Sequence, residues 1–453
     1  MDKVPNDVLL EIFRAVFTVR NGRIVIGLKD RRWVLAAVCR RWRSLIFDTP
    51  TFWKSIQILS VSCCKPSTGP ALEEILLRSG NLPITVHLGQ RQCPLSAYAK
   101  TVLTASVERW SSFVIYGQDD QTEEFLGDFG FPRPLPRLQQ VEIEIEVSCD
   151  NRTFDVVKYL RPFVRCAGLK KLSIRAVPEQ TVLPSWYELE CSSFNVAGLG
   201  FPWGRLVQLA LYAPMVTQNV LDVLRACVRL ERLELGWRLI ETGEDTYAIP
   251  PVSLPRLLTL DALNLLSFSV LSNMRFPNLV DLCTFAHGGM LASLLEISPL
   301  LALRTLRLRH LPLPISEDDL GESSFDAMTS LPSLKTIEFR SDVDSLPFIV
   351  NKLVSLAPKL HLKTIRLVHK SEAPMTSELC QNATMVDNVE ALVAGFLAVE
   401  KRTLKLVVLD FRKFKLSSDP LRRPTRALRK TPLLRRLVAF KGQVTVAVFL
   451  QSK

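Results

Sequence analysis

The segment 36–56 reads AAVCRRWRSLIFDTPTFWKSI and places a cysteine beside two arginines. Nearby cations favour the thiolate form of a cysteine, which makes Cys39, followed by Arg40 and Arg41, a candidate nucleophile. A catalytic cysteine also needs a base oriented by a third group, and no histidine–asparagine constellation is local to Cys39. Because Cys39 adjoins the apolar stripe of a short predicted helix, we expect a packed, unreactive thiol.

Other signatures of catalysis are missing from the sequence, which contains no G-x-S-x-G, P-loop, H-E-x-x-H or kinase motif. The ten cysteines form no C-x-x-C pair, and no cysteine pair has zinc-finger spacing from paired histidines. We interpret the cysteines as buried free thiols. The five histidines stand singly, on or just after predicted strands, at His87, His287, His310, His361 and His369. We therefore expect no enzymatic activity, no cofactor and no metal.

Composition indicates a chain with a large core and a local excess of positive charge. The 453 residues are 47% hydrophobic with a mean hydropathy of +0.17. The net charge is +12, but residues 401–453 alone hold 15 Lys/Arg against 2 Asp/Glu. This basic end is interpreted as a solvated cap of the fold, and the alternative is a nucleic-acid-associated scaffold that uses residues 422–436.

Targeting and membrane signals are not visible. The N-terminus MDKVPNDVLL has no basic region leading into an apolar one, and the longest uncharged run, 206–221, contains Pro214 and is too short for a membrane helix. We expect a soluble, intracellular protein located in the cytoplasm, the nucleus or both, without a membrane partner.

A loose repeat of the form L-x-x-L-x-L runs through most of the chain, with successive starts 22 to 44 residues apart. Its last two apolar positions fall on one face of a strand, and the first turns the entering chain inward. The units begin at Leu138, Leu169, Leu206, Leu230, Leu257, Leu279, Leu303, Leu334, Leu362, Leu406 and Leu434.

Amphipathic helical stretches separate the predicted strands, at 154–166, 217–230, 344–356 and 386–401. One strand and one helix cannot bury their own apolar faces, so the units are expected to stack into a parallel sheet with helices outside. The pattern covers about 135–442 and resembles an irregular leucine-rich-repeat solenoid. Residues 72–116 resemble entry units of the same layer, with a helix ended by Gly80 and strands at 82–88 and 109–116.

The N-terminus predicts a small helical module. Pro5 and Asp7 suit the first turn of a helix over 4–17, in which Val8, Leu9, Ile12, Phe13 and Val16 recur at helical spacing. After a polar loop, a second stretch carries one predicted apolar stripe, made of Leu35, Val38, Trp42, Leu45 and Ile46.

The order V-P-x-D-V-L-x-x-I-F, then A-x-V-C-R-x-W-x-x-L, then a late tryptophan resembles an F-box over residues 4–56. The gap between Phe13 and Val38 is about ten residues longer than the family pattern, and an enlarged loop at 18–32 would absorb it. The continuation ALEEILLRSGNLPITVHL, followed by RW-x-x-F, is similar to F-box proteins of mushroom-forming fungi.

The resemblance implies a substrate-recognition subunit of an SCF-type cullin-RING ubiquitin ligase, in which the F-box binds a Skp-type adaptor and the remaining domain binds an unknown protein target. Trp42 and Trp53 are expected to pin the helices to each other or to the repeats. Carried over to this sequence, the adaptor-facing residues are Val4, Pro5, Val8, Leu9, Ile12, Phe13, Leu35 and Val38.

Target binding is expected on the concave face of the solenoid, where strand residues between the apolar positions point outward. Acids lead early in this set and arginines dominate late, so a target with a basic and an acidic patch would fit. The candidates are Glu142, Glu144, Arg175, Tyr212, Glu234, Arg307, Arg309, Glu338, Arg340, Arg366 and Arg412.

The complete prediction is an α/β protein with three parts. Residues 1–58 form the helical F-box, residues 59–134 form linking repeat units, and residues 135–453 form the solenoid with its basic end. The alternative function is a non-catalytic scaffold that binds nucleic acid through that end.

Overall fold

The computed structural model describes two compact units, formed by residues 1–230 with 237–244, and by residues 231–236 with 245–453. The described residues are 4–18, 31–58, 68–90, 95–128, 135–147, 153–178, 190–191, 195–236, 239–240, 250–262, 268–285, 290–309, 322–341, 346–357, 359–369, 406–411 and 445–450. The predicted domain boundaries near residues 58 and 134 stay predictions.

Helices occur in both units. Those of the first unit are α1 (Asn6–Thr18), α2 (Arg31–Ala36), α3 (Arg40–Phe47), α4 (Thr68–Arg78), α5 (Ala97–Ala105), α6 (Asp119–Asp128), α7 (Val156–Leu160) and α8 (Thr217–Ala226). Those of the second unit are α9 (Phe268–Leu271), α10 (Met290–Ile297), α11 (Glu322–Thr329) and α12 (Leu346–Leu356). No helix among the described residues combines the length and apolar character that crossing a membrane requires.

Strands alternate with these helices along the chain. The first are β1 (Ser55–Ile58), β2 (Ile84–Gln90), β3 (Trp110–Gln118), β4 (Gln140–Val147), β5 (Thr153–Phe154), β6 (Lys171–Pro178), β7 (Glu190–Cys191), β8 (Gln208–Tyr212) and β9 (Met215–Val216). The others are β10 (Arg232–Leu235), β11 (Leu239–Ile240), β12 (Val252–Ser253), β13 (Thr259–Ala262), β14 (Met274–Arg275), β15 (Asp281–Phe285), β16 (Thr305–Arg309), β17 (Thr336–Ser341), β18 (Thr364–His369), β19 (Leu406–Phe411) and β20 (Thr445–Leu450).

Each unit contains parallel pairing in chain order. In the first unit β1, β2, β3, β4, β6 and β8 pair successively, and every one of these pairings is parallel. In the second unit β10, β13, β15, β16, β17, β18, β19 and β20 do the same. Parallel neighbours need a crossover, and where the connections are described, helices and turns supply it.

The L-x-x-L-x-L pattern predicts correctly which strand side chains are buried. On β4, Val141, Ile143 and Ile145 are buried, whereas Glu142 and Glu144 between them are only partly covered. The leading leucine of each unit lies in the turn before its strand and is also buried. This holds for Leu138, Leu169, Leu206, Leu230, Leu257, Leu279, Leu303, Leu334 and Leu362.

Two predictions at the C-terminal end are wrong in register or extent. Leu406 lies opposite Thr364, the third position of its unit, so the repeat around β19 is shifted by two residues from the predicted start. Strand β20 lies beyond the predicted end of the pattern at 442. The predicted unit at Leu434 and the predicted helix at 386–401 lie outside the described residues.

Two predicted helices are shorter than their apolar periodicity suggested. The stretch 154–166 forms only the one-turn helix α7, followed by a 3-10 turn that contains Pro162. Proline lacks the backbone donor that would continue an α-helix, which explains the early end. Helix α8 ends at Ala226, before the inward turn that leads to the next strand. Helix α4 ends as predicted near Gly80, which adopts φ +56.

Candidate functional site

The first helix of the N-terminal module has apolar residues on two sides. Leu9 and Phe13 are buried, at 5% and 1% exposure, whereas Val8 and Ile12 are 44% and 48% exposed. The prediction that Leu9 and Phe13 face an adaptor is therefore corrected, because their side chains pack inside the module. Val8 and Ile12 are four residues apart and lie on one face of α1.

The second predicted helix is two helices, α2 and α3, with a break at residues 37–39. Cys39 has an extended backbone (φ −158, ψ 168), and its Sγ accepts a hydrogen bond from the Trp42 backbone N–H at 3.4 Å. It thus caps α3, and the single stripe predicted from Leu35 to Ile46 does not exist. Cys39 is also exposed, so the prediction of a packed thiol is wrong. Val38, at the break, is 52% exposed.

Contacts between α1 and α3 hold the module together. The Arg41 guanidinium donates to Asn6 Oδ1 through Nε at 2.9 Å and through Nη2 at 2.6 Å, and Nη2 also donates to the Val4 carbonyl. The ring of Trp42 packs edge-on against Phe13, with centroids 5.0 Å apart. Trp42 is therefore a packing residue within the module, as predicted.

Trp53 is fully buried at the end of the module. Its Nε1–H donates to the Ile46 carbonyl at 2.9 Å, and its ring lies 5.2 Å from Trp33. The guanidinium carbons of Arg32 and of Arg78, on α4, lie 4.4 Å and 5.5 Å from the centroid of Trp53. Such cation–π contacts are strongest where both groups are desolvated. Two residues later the chain enters β1, which pairs with β2.

The module exposes apolar side chains that its own packing does not cover. Val34, at 54%, joins Val8, Ile12 and Val38 as an exposed apolar residue, and we call these four the apolar surface of the module. Of the other predicted adaptor-facing residues, Pro5 is exposed, and Val4 and Leu35 are partly exposed. Val34 was not among the predicted adaptor-facing residues, although its spacing of four from Val38 was a usable signal.

On the sheet of the first unit, the predicted target-binding residues lie on adjacent strands. Glu144 on β4 is directly opposite Arg175 on β6, which is opposite Tyr212 on β8. The Arg175 guanidinium stacks on the Tyr212 ring at 4.3 Å instead of pairing with Glu144. Glu142 and Glu144 make no ion pair among the described residues.

On the sheet of the second unit, charged side chains form a network. Glu338 on β17 accepts from Arg340 Nε at 2.6 Å, and its other oxygen lies 3.3 Å from Arg366 Nη1. Glu338 is thereby buried at 4% exposure, so its prediction as an accessible target contact is corrected. Glu234, on β10, pairs with Arg232 at 2.8 Å.

Two further arginines reach across strands to aspartates. Arg307 donates to both oxygens of Asp281, at 3.1 Å and 2.7 Å, and Arg309 on β16 reaches Asp261 on β13 at 3.4 Å. Cys283 lies on the intervening strand β15, directly opposite Asp261 and Arg307, and is fully buried. Burial, together with the Asp261 carboxylate, raises the pKa of the Cys283 thiol to about 11. Burial also raises the pKa of Asp261, and Arg309 opposes that rise.

Asp261 and Asp281 were not predicted as members of this face. An alignment of neighbouring repeat units would have placed Asp281 diagonal to Arg307. The pairing of Arg309 with Asp261 spans two strand intervals and can be predicted only when the register of the strands is known. Arg412 and the basic segment 422–436 lie outside the described residues. Within the described part of the chain, no group of three or more His, Cys, Asp or Glu could hold a metal ion.

Comparison with known proteins identifies the N-terminal module. A family model described as F-box-like matches residues 1–58, the segment that contains α1, α2, α3 and β1. A search of curated proteins finds no match to the chain. The paired helices and their aromatic core thus belong to an F-box-like domain.

Proposed function

We propose that this chain is a substrate-recognition subunit of an SCF-type cullin-RING ubiquitin ligase. Its F-box-like domain docks a Skp-type adaptor, and its strand face holds a target protein. The chain performs no chemistry in this role and contributes by positioning the target near the ubiquitin-carrying enzyme. Such ligases act in the cytoplasm and the nucleus.

The observation that carries the proposal is the apolar surface of the module. Val8, Ile12, Val34 and Val38 are each about half exposed within the segment that matches the F-box-like family. Neighbouring apolar side chains that a domain leaves in water, as Val8 and Ile12 are on one face of α1, typically mark a protein interface, whose centre is stabilised by their burial. We therefore replace Leu9 and Phe13 by Val34 in the proposed adaptor-binding set.

The proposal also includes leucine-rich repeats as the target-binding part. In-order parallel strands and a buried leading leucine in each unit support a stacked repeat architecture. In such an architecture, one face of the strands is available to a partner. In this proposal, the charges on that face determine which target protein is bound.

Co-purification with a Skp-type adaptor tests the proposal. Val8→Asp combined with Ile12→Asp places two charges at exposed positions, so the fold is retained while the docking surface becomes polar. We expect this variant to lose adaptor binding by at least about tenfold, since burying an unpaired carboxylate costs more than the apolar contact gains.

A matched control is Leu77→Asp on α4, which puts the same charge on an apolar residue that is 74% exposed outside the module. Adaptor binding should be unchanged in this control. Retention of full binding by the Val8/Ile12 variant, with its circular dichroism spectrum intact, would refute the proposed docking surface.

A further inference from the structure

The densest positive charge on the described strand faces lies on three consecutive strands of the second unit. Arg307 and Arg309 are on β16, Arg340 is on β17 and Arg366 is on β18. We call these four residues the arginine cluster. In register, Arg307, Glu338 and Arg366 form one row, and Arg309 lies directly opposite Arg340 in the next.

The arginines lie above the acids that hold them. The side chains of Arg309 and Arg340 are 24% and 27% exposed, whereas those of Asp261 and Glu338 are 10% and 6% exposed. Asp281 is more exposed, at 30%, but both of its oxygens accept from Arg307. A partner that approaches Arg309 and Arg340 therefore meets guanidinium groups before carboxylates, whereas at Arg307, which is 20% exposed, it also meets Asp281.

Several guanidinium donors remain open toward solvent. Arg340 uses only Nε, toward Glu338, so its two terminal amino groups have no acceptor among the described residues. Arg309 makes a single long contact through Nη2, at 3.4 Å, which leaves Nη1 available. Guanidinium groups bind carboxylates best through two parallel N–H donors, and Arg340 offers such a pair.

The register of the strands brings two arginines of the cluster together, which is electrostatically unfavourable for the sheet without a partner. Like charges directly opposite on adjacent strands repel, and Arg309 and Arg340 are such a pair. The acids offset this repulsion only in part, because the four arginines pair with three acids, Asp261, Asp281 and Glu338. A sequence that breaks a local rule on a partly exposed face indicates a functional use of that face.

From these observations we propose that the arginine cluster binds an acidic peptide segment of a protein target, with carboxylates received by Arg309 and Arg340. The proposal rests on the target-binding role inferred above and specifies its chemistry. The ion pairs already restrain the arginine side chains, which reduces the entropy lost on binding. A nucleic-acid backbone fits less well, because the partly exposed Asp281 interrupts the arginines, which suits spaced carboxylates better than a continuous row of phosphates.

The test uses the full-length chain and a fluorescent octapeptide of alternating Glu and Ser. Identical peptides with Lys or Gln in place of Glu, and a short polyuridylate RNA, serve as competitors. We expect binding of the Glu peptide by fluorescence anisotropy, no competition by the Lys or Gln peptide, and weakening at higher salt. Arg309→Gln with Arg340→Gln should reduce the affinity by at least about tenfold, because charge-assisted contacts to two guanidinium groups are lost.

The matched control is Arg232→Gln, which removes an arginine paired with Glu234 on the same sheet but outside the cluster. Its affinity for the Glu peptide should stay within about twofold of that of the unmodified chain. Equal binding of all three peptides, no binding of the Glu peptide, or RNA binding that depends on the same two arginines would overturn the proposal. Adaptor binding, measured on the same samples, reports separately on the proposed ligase role.

Discussion

The strand faces of the two units carry charge in different ways. In the first unit, Glu144 lies opposite Arg175, yet the arginine stacks on Tyr212 and the carboxylate makes no ion pair among the described residues. In the second unit, Glu338 is buried beneath Arg340 and Arg366. Acidic side chains between the buried strand positions are therefore open in one unit and internally neutralised in the other.

This difference has an energetic meaning. A partly exposed carboxylate keeps most of its hydration, so removing it changes the free energy of unfolding little. A buried carboxylate has lost its hydration and depends on its partners, so removing it leaves desolvated cations without an acceptor. The strand face of the second unit should accordingly be part of its stability as well as a surface for partners.

The largest contrast is expected between Glu338→Gln and Glu144→Gln. Neutralising Glu338 should lower the free energy of unfolding by about 2 kcal/mol, because two guanidinium groups lose their buried counter-charge and one of them faces an amide NH2 donor in place of an acceptor. The matched change at Glu144 should stay within about 0.5 kcal/mol. Urea denaturation followed by circular dichroism measures both. Equal effects of the two substitutions would show that the faces do not differ in this way.

An intermediate effect is expected at Cys283. On β15 it lies directly opposite Asp261 of β13 and Arg307 of β16, and the side chain of Arg309 spans β15 to reach Asp261. Because the pKa of Cys283 is raised to about 11, its thiolate fraction and alkylation rate should rise with pH up to that value, about tenfold per pH unit. Arg309→Ala removes a cation that lowers the pKa of the Cys283 thiol, which by itself slows labelling. Because the substitution also uncovers the thiol, the rate of N-ethylmaleimide labelling at pH 8 should still rise overall, by about threefold. Peptide mass spectrometry of the labelled chain measures this rate.

Two internal controls accompany that measurement. Cys166 and Cys227, in the first unit, have thiol pKa values raised by burial to about 12, and their labelling should not respond to Arg309→Ala. Arg340→Ala, one strand further on, should leave Cys283 protected. An unchanged Cys283 rate in the Arg309→Ala variant would mean that the Arg309–Asp261 bridge does not shield the thiol.

The smallest effect is a coupling energy. A double-mutant cycle on Arg307 and Asp281, with glutamine and asparagine as replacements, should give about 1 kcal/mol, because the pair is bidentate but partly solvated. The same cycle on Glu144 and Arg175, which face each other without pairing, should give a coupling energy within about 0.3 kcal/mol of zero. Similar coupling in the two cycles would remove the distinction between the faces.

The sequence predicted the elements better than it predicted their surfaces. The L-x-x-L-x-L units predicted the positions of most strands, because the buried leucines lie within each strand or in the turn just before it. In α1, periodicity identified a helix but not its covered side, because Val8, Leu9, Ile12 and Phe13 give an apolar arc wider than one packed face. Phe13 is buried on the side where Trp42 of α3 packs against it.

The remaining differences between the prediction and the structure depend on the backbone conformation of a single residue or on the register between strands. Cys39 interrupts a continuous apolar stripe by adopting an extended conformation, which no pattern of apolar residues encodes. The pairing of Arg309 with Asp261 joins residues 48 positions apart on non-adjacent strands. Such pairs become visible only once the order and register of the parallel strands are known.

The most direct test of the central claim is hydrogen exchange of the chain with and without a purified Skp-type adaptor. Docking on the apolar surface of the F-box-like domain predicts slower exchange of backbone amides in α1, α2 and α3, with the strands β13 to β18 unchanged. Unchanged exchange throughout residues 6–47 at saturating adaptor, or protection confined to the strands, would contradict the account.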